Sequence, residues 1–139
     1  MSEENKIIVR RLYSEVLEGG NIDVADDLLD TGYVNHSPLP EEPPGAKGAK
    51  KRFVLTRDAF PDATLTIESM ISEGDMVAVR RTFRGTHKGE FLGIIPTGKE
   101  IEIPGISIFR ISEGKILEGW VEPGYVGILY SLNAIPTQK

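Results

Sequence analysis

The residues of this chain best suited to chemistry are His36, Arg81 and the two carboxylates Glu118 and Glu122 that flank the single tryptophan, Trp120. His36 follows Tyr33 and Val34 and stands just before a proline-rich stretch, SPLPEEPP. A neutral imidazole is the natural acid or base near pH 7, and the chain has only two histidines. In KILEGWVE (115–122), strand alternation puts Ile116, Glu118, Trp120 and Glu122 on one face. A carboxyl group against aromatic and apolar walls has its pKa pushed up by desolvation, which suits proton transfer at neutral pH. Arg81 alternates with Val77, Val79 and Phe83, so it projects from an apolar face. An unpaired buried guanidinium is costly. Arg81 therefore pairs with Glu118 or Glu122, lines a wet cavity, or reaches past the sheet edge.

This pattern suits acid/base chemistry near neutral pH. His36 and Glu122 would move protons, and Arg81 or Asn35 would stabilise a developing oxyanion. Glu118 would stand in the pocket wall, with Tyr13, Phe60 and Trp120 as its apolar part. Each residue also has a plainer reading. His36 can be a hydrogen-bonded structural histidine, the carboxylates an exposed face shielded by Trp120, and Tyr13 a core residue whose hydroxyl needs a partner. The second histidine, His87, sits on a loop after a strand and suits a structural hydrogen bond better than catalysis.

Other chemistries lack their residues. Two histidines far apart, no cysteine and no HxH or HExxH spacing leave no metal-ligand signature, so no metal is expected. GEFLGIIPTGK has no Ser or Thr after its lysine, so it is no phosphate loop, and there is no Gly-x-Ser-x-Gly elbow. No cofactor is expected.

Elements must position these groups. Residues 3–18 form an amphipathic helix with Ile8, Leu12, Glu15 and Val16 on one side, ended by Gly19-Gly20. A short helix over IDVADDLLD runs to near Gly32, with Val24, Leu28 and Leu29 inward, and YVNH is a short extended piece. The prolines at 38, 40, 43 and 44 make a loop fit to be a lip over a cavity. A third helix spans 46–60. Its Lys47, Lys50, Lys51 and Arg52 read as a solvated face. ATLTIESMISEGD then alternates, with Leu65, Ile67 and Ile71 on one side. The stretch 76–122 follows as an antiparallel meander of strands 76–87, 101–111 and 115–122. YVGILYSL closes the chain as a helix or turn.

At 139 residues the chain is one domain with room for a real core. The net charge of −5 argues against nucleic acid. No apolar run approaches a membrane span, the acidic start is no signal peptide, and the lack of cysteine fits a reducing compartment, so a cytoplasmic location is expected.

The segments YVNHSPLP, RGTHKGEFLGIIPTGKEI, FRISEGKILEGW and GILYSL resemble the SnoaL-like polyketide cyclase/ester cyclase family, and the similarity extends over nearly the whole chain. That family belongs to the NTF2-like superfamily, whose cone-shaped fold also serves ketosteroid isomerase and scytalone dehydratase. The resemblance implies an α+β chain, a single domain over 1–139, with N-terminal helices packed on a curved antiparallel sheet. It also implies a small-molecule pocket between sheet and helices and a homodimer through the sheet. In the cyclases an acidic residue drives an aldol-type ring closure of a polyketide ester, without metal or cofactor. That residue falls four positions after the tryptophan of the E-x-W segment. Here the position is Gly124, so the chain departs from the pattern. The alternative to an enzyme is a non-catalytic small-molecule binding or scaffold protein on the same cone.

Overall fold

The computed structural model describes residues 2–133. Helix α1 spans Ser2–Arg11, with Glu3 and Glu4 in its first turn and Arg10 and Arg11 in its last, each complementing the helix dipole. The rod continues through Leu12–Glu18 as a π-helix, which ordinary helical periodicity does not announce. Its wider turn keeps adjacent pairs, Leu12 with Tyr13 and Val16 with Leu17, buried on the same side. Arg57 finishes the rod: its Nη1 donates to the carbonyls of Leu17 and Glu18, both at 2.7 Å.

The second helix is shorter than its sequence suggests. α2 spans Val24–Leu28, and Leu29 is already extended. Leu29–Asn35 is strand β1, because Leu29 pairs with Ile116 on the far strand. Tertiary pairing overrides the local helical pattern there. α3 spans Gly45–Ala59 and buries Ala46, Gly48, Ala49 and Phe53.

Four long strands follow: β2 (Thr64–Glu73), β3 (Met76–Thr86), β4 (Glu100–Ser112) and β5 (Lys115–Glu122). Their order is β1-β5-β4-β3-β2. The meander β2 to β5 is antiparallel, as expected, but β1 pairs parallel to β5, so the sheet is mixed. α4 (Tyr125–Ser131) packs on β4 at the open end. The core lies between the sheet's inner face and the helices and includes Val9, Val16, Phe60, Val77, Val79, Phe109 and Ile116. No helix among the described residues is long and apolar enough to cross a membrane.

Two β-bulges correct the expected faces. One lies between Ile67 and Ser69. Beyond it Met70 takes the inner position, and Ile71, expected inward, is 70% exposed. The other lies on β5, where Ile116 pairs with Ile111 but Glu118 pairs with Arg110, leaving Leu117 as the extra residue. A bulge inserts one residue and so reverses the faces beyond it. Ile116 is buried in the core, whereas Glu118, Trp120 and Glu122 turn to the outer face and Gly119 and Val121 take the inner one. The four residues read as sharing a face do not share it.

Candidate functional site

Between the helices and the sheet's inner face lies a cavity of about 130 Å³. Leu12, Tyr13 and Leu17 line it from the first helix, Phe53 and Thr56 from α3, and Leu29 and Tyr33 from α2's end and β1. Phe83, Ile103, Phe109 and Val121 form its floor, Phe91 stands at the side, and Tyr125 and Ile128 close the C-terminal end. The walls are mainly apolar, with a few polar groups aimed inward, which is the usual composition of a small-molecule site.

Those polar groups are hydroxyls, an amide and two guanidinium groups. The Tyr13 hydroxyl is buried and has no hydrogen-bond partner among the described residues. Burial pushes its phenol pKa up, and Ser107 and Arg81 only partly oppose this. Burial likewise raises Tyr33, against the nearby charge of Arg52. Both phenols are therefore neutral donors at pH 7. Arg81 is 5% exposed and lines the cavity. It forms no ion pair among the described residues, so the expected pairing with Glu118 or Glu122 does not occur. Glu118 is engaged elsewhere and Glu122 is exposed on the other side of the sheet.

The segment around the prolines edges the cavity through Ser37 and Leu39 rather than through the prolines themselves, and Glu42 anchors this lip. Glu42 accepts from the Asn35 amide at 3.0 Å and from Leu39 N–H at 3.1 Å, and lies 3.4 Å from Arg52 Nε. The Asn35 carbonyl oxygen accepts from Ser37 N–H at 2.8 Å, so both ends of that amide are committed. Asn35 lines the cavity, but as a strut of its rim rather than a free oxyanion donor.

His36 does not line the cavity. It sits on the outer face with its ring stacked on Trp120, centroids 4.6 Å apart and planes 4° from parallel. Its Nε2 is 2.7 Å from Glu118 Oε1, and Glu118 Oε2 accepts from Arg110 Nε at 2.5 Å. The structure thus gathers three of the sequence candidates, His36, Glu118 and Trp120, but on the face away from the pocket. Glu122, on the same outer face, is exposed. Phe60 is fully buried one layer behind the wall, against Phe83 and Phe91. Tyr13, Asn35 and Arg81 are the candidates that reach the cavity. His87 is fully buried, and its Nδ1 accepts from Thr97 N–H at 3.1 Å, which pins the loop that carries Phe91.

The outer cluster has a pH signature. The His36 hydrogen bond, and then that of Arg110, hold the Glu118 carboxyl below the usual glutamate range, while desolvation opposes them. A lowered folded-state pKa contributes stability that is complete above the unfolded value, about 4.3, and is lost as pH falls through the lowered one. Glu118→Gln is therefore expected to lower the melting temperature at pH 5.5 and to converge on the parent protein as pH falls below about 4. Melting curves across that range check it. A difference independent of pH would remove the linkage.

Sequence reasoning missed Ser107, Tyr33 and Arg52. Ser107 had a signal: it is the one hydroxyl among Ile101, Ile103, Phe109 and Ile111 on the inner face of β4, the same anomaly that exposed Arg81. Tyr33 stood in a quoted motif but was not weighed. Arg52 had none, because it lies in a basic run and only the seating of α3 turns it toward the cavity.

Comparison with solved structures places this geometry. A SnoaL-like polyketide cyclase from Jannaschia sp. CCS1 superposes with a TM-score of 0.82, covering 97% of this chain and 95% of the other, at 24% identity, a likeness of fold alone. TsrD from Streptomyces laurentii superposes with a TM-score of 0.83 over 96% and 97% of the two chains at 25% identity. IdmH from Streptomyces antibioticus, described as a polyketide cyclase, is 31% identical, with a TM-score of 0.77 over 93% of this chain and 98% of its own. No curated protein matches the chain by sequence. The family model for the SnoaL-like polyketide cyclases matches residues 7–132, nearly the whole chain, and the fold is the NTF2-like one that the resemblance implied. By sequence over that span and by fold, the chain belongs to the SnoaL-like polyketide cyclase family.

Proposed function

We propose that the cone cavity binds a small, largely apolar carbonyl compound and donates hydrogen bonds to its oxygen, without a side-chain acid/base pair to turn it over. The observation that carries this reading is the cavity wall itself: apolar residues, three tyrosines and two arginines, with no carboxylate or imidazole side chain among its described lining residues. Donors aimed at an oxygen supply only half of what an aldol-type closure needs, since a base must also remove the carbon-bound proton. The cyclases carry an acid at the position that is Gly124 here, and Gly124 does line the cavity.

That position has room for a side chain. A Cβ on Gly124 would meet nothing nearer than Ser37 Cβ at 3.6 Å, and its φ of −86° lies outside the left-handed region that favours glycine. Gly124→Asp is therefore expected to fold like the parent protein and to add a carboxylate to the wall. The test is to titrate both proteins with neutral aryl 1,3-diketones by calorimetry and to follow ring closure of a poly-β-ketone ester. Saturable binding by both, with rate enhancement only in Gly124→Asp, is the expected result. Turnover by the parent protein that His36→Ala abolishes would sink the proposal in favour of the outer-face histidine.

A further inference from the structure

We infer that the compound filling this cavity is an organic acid, apolar over most of its surface, whose carboxylate is held by Arg81. The inference rests on reading the cavity as a small-molecule site and names the class of ligand it takes.

Arg81 is buried on the inner face of β3, directly opposite Gly105 on β4. A Cβ on Gly105 would stand 2.0 Å from Arg81 Nη1, 2.9 Å from its Cζ and 2.5 Å from the Glu122 carbonyl oxygen. The guanidinium group therefore lies against the β4 backbone in a seat that only glycine leaves open. The seat holds the charge in place but does not neutralise it. Glu118 is bound to His36 and Arg110, Glu42 serves Arg52 and the lip, and Glu68 accepts from Thr82. Every ion pair among the described residues leaves Arg81 out.

A buried guanidinium without a counter-ion is destabilising, and burying one partner of an ion pair alone costs far more than burying both. The groups that share its corner are the hydroxyls of Tyr13 and Ser107. Together they form a cluster rich in donors. An ionised carboxylate only accepts hydrogen bonds and matches the planar guanidinium fork with two parallel ones. A neutral ketone would leave the charge uncompensated, and a cation would repel it. The chain as a whole is acidic, at −5, so this local positive charge is not part of a general basic surface.

The test uses a series of aryl- and alkyl-alkanoates, each titrated against its own methyl ester by calorimetry. The acids are expected to bind the parent protein about 10- to 100-fold more tightly than their esters. Arg81→Met is expected to erase that preference and retain ester binding. Its melting temperature is expected to match or exceed the parent's, because an apolar side chain replaces an unpaired buried charge. Gly105→Ala, which keeps the arginine but fills its seat, is expected to weaken the acids more than the esters, so the inference does not depend on one variant. Esters that bind the parent protein as well as the acids would overturn it and leave the cavity reading intact. An acid preference that survives in Arg81→Met would also overturn it. If neither acids nor esters bind, the small-molecule reading of the cavity falls, and this inference with it.

Discussion

Phe60→Ala is expected to lower the unfolding free energy by about 3–5 kcal/mol, as truncation of a fully buried aromatic does when its surroundings cannot collapse. Phe60 has 0% exposure and packs edge-on against Phe83 at 5.5 Å and Phe91 at 5.9 Å, with His87 tilted over it at 5.4 Å. Its Cβ side is closed by Gly85, where an added Cβ would lie 3.0 Å away. Three elements meet on this ring: the end of α3, the strand β3 and the loop after it. None can move in without disturbing the others. Denaturant unfolding would read the loss as a lower midpoint with little change in slope. Because the ring stands behind the cavity wall rather than in it, the acid-over-ester preference should survive at temperatures where the variant is folded. A loss below about 1 kcal/mol would mean that the aromatic layer repacks freely.

Gly48→Ala sets two effects of opposite sign against each other. Gly48 lies within α3, where alanine is favoured over glycine by about 1 kcal/mol on helix propensity. The same site is buried against the Pro43 backbone, and a Cβ there would stand 1.7 Å from the Pro43 carbonyl oxygen. That contact is with backbone, so it cannot be relieved by a side-chain rotation. Overpacking of this kind costs about 1–3 kcal/mol, so the clash is expected to win. The lip must lift, and with it goes Glu42, which holds Asn35, Leu39 and Arg52. A lower melting temperature together with weaker ligand binding is the expected pair of results. A rise in melting temperature would show that propensity dominates and that the lip does not rest on Gly48.

Both effects concern layers that sequence periodicity describes only in part. Alternation along MVAVRRTF placed Arg81 on an apolar face, and that is where it lies. The helical stripe of the first rod put Leu12 and Val16 inward, and Leu39 of the proline-rich segment edges the cavity. Alternation fails where a bulge adds a residue. The extra residue on β5 moved Glu118, Trp120 and Glu122 to the outer face, and with them the proton-transfer role read for Glu122 lost its cavity. The one local hint is the isolated Gly119, which marks a close backbone approach as readily as a bulge and does not say where the extra residue falls. His36 followed for a related reason. β1 runs parallel to β5, so His36 is set beside Glu118 and Trp120 rather than among the helices.

The sequence by itself determined the long helices and the strands of the meander, the α+β fold of the SnoaL-like type, that Arg81 projects from an apolar face, and that position 124 lacks an acid. These depend on periodicity, on residue type and on an extended resemblance, all of which are local or linear properties. Only the tertiary structure decided which side of the sheet each carboxylate faces, that Arg81 has no counter-ion among the described residues, that Arg52 turns into the cavity, and that Phe60 stands behind the wall. Those outcomes depend on strand register and on how far apart two side chains come to rest. A one-residue change of register reverses a face while leaving the sequence pattern around it unaltered.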